Sequence, residues 1–224
     1  APDPNETKWK PDLVVIEGGS YVMGRDTGPI QETPAHGINV NTFSMDKTEV
    51  TNAEYQEFVA AQNYSPPSQW GGKTAPAGQE LWPVVGVSID DANAFAAWRS
   101  KRDKVTYRLP TEEEWEFTAR NGSKATLFPW GDSWREGVAN FNGKSSPTNV
   151  GSFPRGATEA GVLDMIGNAW EWTSSKASYY DHRPVKTDPN GRVRRGGSFA
   201  EKIKTDFRNA TDRGWLGDEH YKFP

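Results

Sequence analysis

The segment that says most about the fold spans residues 161–173 and reads GVLDMIGNAWEWT. It places two carboxylates, Asp164 and Glu171, seven positions apart, with Gly167 and the small Ala169 between them. Hard cations such as Ca²⁺ bind oxygens from carboxylates, backbone carbonyls and water, and a curled segment can supply the first two kinds. The spacing alone also fits two solvated acids beside a tryptophan-anchored strand. The rest of the chain has to decide between these two interpretations.

The composition is that of a globular protein without cysteine. Of 224 residues, 34% are hydrophobic and 25% charged, with 22 Gly and 16 Pro, which is typical of a folded chain with many turns. Because Cys is absent, disulfides, thiolate metal sites and cysteine nucleophiles are excluded. The net charge of −4 offers no basic surplus for nucleic acid. No apolar run approaches the ~20 residues of a membrane span, so none is expected within this chain.

Three helix-start signals of one kind recur along the chain. A Ser or Thr followed three positions later by Glu or Asp begins at Thr51, Ser88 and Thr111, which is the pattern of a capping box. Apolar residues follow each signal on one helix face. The sequence predicts short helices at about 51–62, 88–102 and 111–120.

Strand signals are short and scattered. Residues 13–16 precede Gly18 and Gly19, and residues 21–23 follow them, which predicts a hairpin. Long stretches rich in Gly, Pro, Asn and Ser separate the later candidates, and loops of that length are usually functional or organised by metal. The pattern predicts one α+β domain with little regular secondary structure. The later strand candidates are residues 38–40, 84–87, 168–173 and 192–199.

The first residues differ in character from the rest. Residues 1–11 contain three prolines and few apolar groups, which is typical of a linker or a processed arm. Neither an internal repeat nor a linker divides the remainder of the chain. We therefore expect a single domain over residues 12–224.

Six further motifs give the chain a family resemblance. Together with residues 161–173, the series resembles the formylglycine-generating enzyme (sulfatase-modifying factor) family over about residues 12–215. The resemblance implies an elaborated C-type-lectin-like fold with little regular secondary structure. The motifs are GGSYVMG at 18–24, DKTEVTNAEY at 46–55, PVVGVS at 83–88, YRLPTEEEWE at 107–116, FPWG at 128–131 and RGGSF at 195–199.

The resemblance also indicates which chemistry the chain lacks. Catalytic members of the family oxidise a cysteine of a client sulfatase to formylglycine, using a cysteine pair that holds copper just after the RGGS motif. The matching positions are Glu201 and Asp206, neither a soft ligand for Cu(I), so this copper chemistry is ruled out. Another branch holds non-haem iron with three His, whereas His36, His182 and His220 lie far apart in this sequence. We expect neither copper nor iron.

A calcium site is implied in the segment 161–173. The implied ligands are two side chains and two carbonyls, those of Asp164 and Glu171 and those of Gly167 and Ala169. A second family site begins at Asn140 and the carbonyl of Phe141. The loop after it, residues 142–149, contains no Asp or Glu. The sequence therefore supports a second calcium ion less strongly than the first.

A ligand groove is implied by the same resemblance. Two of its residues, Glu201 and Asp206, are acids five positions apart, and they suit acid–base chemistry if their environments give them different pKa values. Salt bridges to the basic residues nearby are the alternative. The groove residues are Trp170, Ser198, Glu201, Asp206 and Arg208, and the nearby basic residues are Arg194, Arg195, Lys202 and Lys204.

Three functions from different classes are open at this stage. The first is a non-catalytic domain that binds or senses a small molecule or peptide, is stabilised by calcium, and forms the extracytoplasmic part of a bacterial membrane kinase or a surface lipoprotein. The second is a cysteine-independent oxidoreductase of the same family. The third is a structural surface protein. The fold by itself does not select among them.

Overall fold

The computed structural model describes residues 10–141, 143–181 and 191–201, and the backbone of a strand at 213–216. Residues 1–9 of the predicted arm lie outside this part of the chain. Within it, three α-helices, seven short strands and four 3₁₀ turns are joined by long loops, as expected for an α+β protein poor in regular structure. None of the described helices has the length and apolar character needed to cross a bilayer.

The three helices begin where the capping boxes predict. They are α1 (Asn52–Gln62), α2 (Ile89–Asp103) and α3 (Glu112–Ala119). At each start the Ser or Thr side chain accepts a hydrogen bond from the third helical N–H, and the acid at that position accepts one from the cap's own N–H. Both hydrogen bonds join groups within four residues of each other, which is why the local sequence is sufficient to predict where each helix begins.

The first four strands form one interrupted antiparallel ribbon. Strand β1 (Leu13–Ile16) pairs with β4 (Phe43–Asp46), and β2 (Gly19–Met23) pairs with β3 (His36–Val40). The predicted hairpin between residues 13–16 and 21–23 is therefore wrong, because the chain reverses later, between β2 and β3.

Gly18 explains this difference. A Cβ at Gly18 would lie 2.5 Å from the carbonyl oxygen of Val40 and 2.6 Å from the nitrogen of Thr42. Glycine is needed at this point because the two arms of the ribbon approach closely, and not because the backbone turns.

The late strands form a three-stranded antiparallel sheet in the order β5 (Glu171–Lys176), β6 (Arg192–Arg195) and β7 (Arg213–Leu216). Helix α3 contacts both this sheet and the ribbon. Its Trp115 and Phe117 are fully buried in the largest apolar cluster. The helix therefore fixes the start of β5 relative to the N-terminal ribbon.

The strand predicted at residues 84–87 does not form. These residues run beside the chain before α1, where the nitrogen of Val84 donates to the oxygen of Val50 at 2.9 Å. Pro83 has no N–H to donate, and Gly86 has a φ of 70°, which leaves the extended region. The apolar run is thus a buried irregular segment.

Candidate functional site

A tight turn precedes β5 and uses the left-handed backbone region three times. Asp164, Gly167 and Asn168 have φ values of 58°, 82° and 56°. Non-glycine residues seldom adopt this region, and Asn and Asp do so most readily. The turn curls the segment so that residues 164 and 171 lie at the two ends of one bend.

Asn168 holds this turn to the rest of the molecule. Its Oδ1 accepts hydrogen bonds from the nitrogen of Thr148 at 2.9 Å and from Nδ2 of Asn140 at 3.1 Å. Its Nδ2 donates to Oε1 of Glu49 at 3.1 Å. One fully enclosed amide thus joins three separate parts of the chain.

Three acidic side chains meet at this turn, and we call Glu49, Asp164 and Glu171 the carboxylate cluster. Oδ2 of Asp164 accepts a hydrogen bond from the nitrogen of Gly151 at 2.6 Å. Oε2 of Glu171 accepts one from Nε1 of Trp115 at 3.0 Å. These bonds fix where the carboxylates point without neutralising their charge.

The electrostatics of the carboxylate cluster call for a positive charge. Burial raises the pKa of Glu49 well above its ordinary value, and the charges of Asp164 and Glu171 raise it further. Burial likewise raises the pKa of Asp164, and it raises the pKa of Glu171 to about 8. Within the described residues no Lys or Arg pairs with any of the three. Enclosed carboxylates without a basic partner are costly unless a proton or a cation joins them.

The donor atoms near the carboxylate cluster are oxygens of the kind that Ca²⁺ binds. Oε2 of Glu49 is enclosed and receives no hydrogen bond in the described part of the chain. Among the described residues no group of three or more His, Cys, Asp and Glu side chains is placed so that it could hold a metal ion, so carbonyl oxygens would have to supply part of the ligand set. Neither the carbonyl of Gly167 nor that of Ala169 accepts a backbone hydrogen bond among those residues. Carboxylate and carbonyl oxygens without nitrogen or sulfur are the donor set that Ca²⁺ prefers.

Gly167 is required by its surroundings as well as by its φ. A Cβ there would lie 2.3 Å from the carbonyl oxygen of Asn140. That oxygen also accepts a hydrogen bond from the nitrogen of Asn168 at 2.7 Å. The turn is therefore packed directly against residue 140.

The structure gives the two residues of the second predicted calcium site structural contacts. Nδ2 of Asn140 donates to Ser146 and to Asn168, and the ring of Phe141 packs edge-on against Trp134 with centroids 5.1 Å apart. Asn140 thus fastens a loop to the turn. The second ion stays a prediction without an acidic side chain in its neighbouring loop.

The predicted ligand groove is assembled in part. Nε1 of Trp170 donates to Oε1 of Glu201 at 2.7 Å, and the guanidinium of Arg194 lies 4.2 Å from the centroid of a Trp170 ring. The carbonyl of Ser198, a buried residue, accepts a hydrogen bond from the nitrogen of Glu201 at 3.2 Å. These contacts form an aromatic surface with one basic and one acidic edge.

Other residues proposed near the groove lie elsewhere or outside the described part of the chain. Arg195 is fully buried and pairs with Glu116 and Glu112, so it does not neutralise the groove carboxylates. His36 packs against the ring of Tyr180 with centroids 4.5 Å apart. The residues outside the described part are Asp206, Arg208, Lys202, Lys204, His182 and His220.

Sequence reasoning misses Glu49. It lies more than one hundred positions before Asp164 and directly before α1, inside the motif DKTEVTNAEY. The motif is recognisable, but its first glutamate receives no role because nothing local shows that it faces Asp164. The only local signal is its position two residues before the cap residue Thr51.

A family model described as "Sulfatase-modifying factor enzyme 1-like domain" matches residues 1–219. The chain belongs to this family. Over 245 aligned residues it is 29% identical to "Inactive C-alpha-formylglycine-generating enzyme 2" of Bos taurus, covering 85% of this chain and 77% of that protein.

Two further relatives extend the comparison. The chain is 31% identical over 223 residues to "Serine/threonine-protein kinase Pkn1" of Chlamydia trachomatis serovar L2, covering 89% of this chain but only 35% of that protein. The solved structure of PvdO from Pseudomonas aeruginosa superimposes with a TM-score of 0.78 at 27% identity, covering 95% of this chain and 90% of that one. The expected C-type-lectin-like fold of this family is confirmed.

Proposed function

We propose that this domain is a non-catalytic ligand-binding or sensor domain of its family, stabilised by calcium. The observation that carries the proposal is the absence of Cys from the whole chain. Glu201, at one of the positions matched to the copper-holding pair, instead accepts a hydrogen bond from Trp170. A carboxylate tied to an indole has no redox chemistry of its own, but it can shape a binding surface.

Calcium is proposed because no Lys or Arg in the described part of the chain pairs with the carboxylate cluster. Asp164 and Glu171 would hold the ion, with the carbonyls of Gly167 and Ala169. When bound, calcium supplies positive charge and joins the turn to the start of β5. The chain's own residues orient these oxygens, through the N–H of Gly151 and the indole of Trp115.

The ligand surface is proposed around Trp170. Its indole presents area for stacking, and Arg194 and Glu201 at its edges suit a ligand that carries both charges or several hydrogen-bonding groups. A small polar molecule or a peptide segment has this character. The groove also extends to Ser198, whose neighbour Phe199 lines a separate cavity of about 500 Å³.

The proposal also covers the cellular setting of the domain and the domains that accompany it. One relative is a kinase in which a region resembling this chain makes up 35% of the length, so a domain of this kind occurs beside other domains. We propose the extracytoplasmic part of a membrane kinase, or a surface lipoprotein, as the setting. Calcium is abundant outside cells, where sites with Kd near 10⁻⁴–10⁻³ M are occupied.

The proposal is tested by elemental analysis of the purified protein and by an activity assay. We expect about one calcium per chain, neither iron nor copper in stoichiometric amount, and no oxidation of a cysteine-containing sulfatase peptide when Cu(I) is added. Stoichiometric iron or copper, or turnover of the peptide, would favour the cysteine-independent oxidoreductase instead.

A ligand screen separates a binding domain from a structural surface protein. Free amino acids, sugars and short peptides would be tested for saturable shifts in melting temperature. A true ligand loses its shift in Trp170→Ala but keeps it in Trp134→Ala, where the indole belongs to another cluster. If no compound gives a saturable shift, the structural role becomes the better account.

A further inference from the structure

A cavity of about 500 Å³ lies beside the start of α1, between the 3₁₀ turn Ser68–Trp70 and the segment 79–86. Pro147 and Phe199, from two later parts of the chain, also line it. Its volume is within the range of small-molecule sites in proteins. Among the described residues that line it, neither Trp170 nor any member of the carboxylate cluster is found. The cavity is therefore separate from the ligand surface and the ion site of the proposed function.

Hydrogen bonds hold the walls of this cavity in place. The N–H of Asn52 donates to the carbonyl of Trp82 at 2.8 Å, and the N–H of Val150 donates to the carbonyl of Leu81 at 2.9 Å. Oδ1 of Asn52 also accepts a hydrogen bond from Nε1 of Trp70 at 3.1 Å. The fold itself thus forms the cavity, and little ordering of the chain is needed when a ligand enters.

The cavity is lined by neutral side chains. None of the described residues that line it is ionisable, so a charged ligand would lose its hydration there without gaining a counter-ion. The lining combines aromatic rings with side-chain amides and a hydroxyl. The aromatic residues are Trp70, Trp82 and Phe199, and the polar ones are Asn52, Ser68, Gln69 and Gln79.

Three of these side chains offer hydrogen-bonding groups that no other group in the described part of the chain uses. Nε2 of Gln69 donates to the carbonyl of Val85, but Oε1 of Gln69 accepts no hydrogen bond there. The side-chain amide of Gln79 and the indole N–H of the half-buried Trp82 have no partner among the same residues. The cavity therefore presents both donors and acceptors next to an aromatic ring.

We propose that this cavity binds a neutral saccharide, with one pyranose ring against Trp82 and its hydroxyls bonded to the amides of Gln69 and Gln79. A pyranose has apolar C–H faces and a rim of hydroxyls. It can therefore pack on an indole while it forms hydrogen bonds to the side chains around it. Each hydroxyl both donates and accepts, which matches a lining that offers groups of both kinds.

A proline-rich peptide is the closest alternative, because aromatic side chains also line the grooves that bind such peptides. Polyproline has carbonyl acceptors but no N–H, so it would leave Oε1 of Gln69 and Oε1 of Gln79 without donors. An anionic saccharide would bring its charge into a lining without a basic residue. Hydrogen bonding and charge thus both favour the neutral saccharide.

The test is titration calorimetry on the full chain, with cellotetraose, mannotetraose and tetra-N-acetylchitotetraose as neutral probes. Tetragalacturonate and an acetylated decaproline are the comparison ligands. We expect saturable binding of at least one neutral probe, at least tenfold tighter than the binding of either comparison ligand. The proposal is overturned if none of the three neutral probes binds saturably. It is also overturned if tetragalacturonate or decaproline binds as tightly as the best neutral probe.

Variants test whether the saccharide binds in this cavity. Trp82→Ala should weaken the best neutral probe at least tenfold, whereas Trp134→Ala, which removes an indole from another cluster, should leave its affinity unchanged. If Trp82→Ala does not fold, Gln79→Leu serves instead, because it keeps the size of the side chain but removes its donor and acceptor. It should weaken the probe at least threefold. Unchanged affinity in a folded Trp82→Ala or in Gln79→Leu would place the saccharide elsewhere and overturn the proposal.

The same measurements keep this proposal apart from the proposed function. Since Trp170 does not line the cavity, the ligand surface around Trp170 can fail its own screen while saccharide binding persists. Conversely, loss of saccharide binding would leave the surface around Trp170 and the calcium site as they are.

Discussion

Two groups of buried acidic side chains lie on either side of the indole of Trp115. They differ in whether a basic side chain balances their negative charge. In the first, which we call the arginine cluster, Glu112 and Glu116 pair with Arg195. The second is the carboxylate cluster, whose Glu171 accepts the N–H of Trp115 while Arg195 lies 5.3 Å from a ring centroid of the same residue. The arginine cluster contains its counter-charge, whereas no described basic residue balances the carboxylate cluster.

The two clusters show where the fold supplies the counter-charge for its buried acids and where an added cation would have to supply it. Glu116 also accepts hydrogen bonds from Arg120 at 2.9 Å and from the nitrogen of Gly24 at 2.8 Å, so its oxygens are fully used. Glu49 has an enclosed oxygen that no described donor reaches. Removal of a partner should therefore damage the first cluster, whereas addition of a cation should stabilise the second.

The largest expected effect is at Arg195. Arg195→Met leaves Glu116 and Glu112 buried without their common counter-charge and should lower the free energy of unfolding by about 3–5 kcal/mol. Urea unfolding at neutral pH measures it. The double variant with Glu116→Gln should recover part of the loss, because without Arg195 the buried charge of Glu116 is balanced by Arg120 alone. A loss below about 1 kcal/mol would mean that the arginine cluster is not the stabilising unit described.

Gly167 joins the two clusters through the backbone, because its N–H donates to the oxygen of Gly196 at 2.9 Å, next to Arg195. Gly167→Ala should cost about 3 kcal/mol, from the positive φ and from the close approach to Asn140. Gly71→Ala is the matched control, with a φ of 64° and no atom within 4 Å of the added Cβ. It should cost about 1 kcal/mol, and equal losses in urea unfolding would contradict the close packing.

Calcium addition should affect only the carboxylate cluster. At a free calcium concentration of about 100 times its Kd, bound ion adds about 2.7 kcal/mol, or about 5–10 °C in melting temperature for a domain of this size. A chelator should reverse this shift. Glu171→Gln keeps an acceptor for Trp115 and should abolish the response to both, while Glu17→Gln should keep it. A shift in Glu171→Gln equal to that of the wild type would place the ion elsewhere.

The smallest effect concerns pH, at the exposed edge of α3. Burial alone would raise the pKa of Glu114, but the hydrogen bonds from Arg108 and from the N–H of Thr111 lower it below its ordinary value. A lowered folded-state pKa gives stability that is present above the unfolded value near ~4.3 and is lost as pH falls through the folded value. Arg108 is 55% exposed, so the contribution is about 0.5 kcal/mol.

Glu114→Gln isolates that charge, because Gln also completes a capping box. Urea midpoints at about pH 7 and about pH 3 should show the variant slightly weaker at the higher pH and equal to wild type at the lower one. A difference that grows towards acid pH would contradict the sign.

Local signals predict the parts of the fold that local bonds make. Thr51, Ser88 and Thr111 each mark a helix start to within one residue, since both capping bonds close within four positions. The strand predicted from residue 168 begins later, at Glu171, because Asn168 has a φ of 56° and belongs to the turn.

Long-range pairing cannot be predicted in this way. Gly18 and Gly19 suggest a hairpin, yet Gly18 allows a close approach to residues 40–42, which nothing near it in the sequence indicates. Arg195 is assigned to the groove on sequence grounds because it is next to Arg194. Alternation along β6 instead sends it into the core beside Glu116.

The sequence by itself determined the family, the helix starts, the absence of thiol chemistry and the two acids at the ends of the turn. Each of these depends on residue type or on contacts within a few positions. Only the tertiary structure decided that Glu49 joins Asp164 and Glu171, and that Arg195 belongs to a different cluster. Electrostatic energy depends on distance in space and on burial, and neither quantity can be read from separation along the chain.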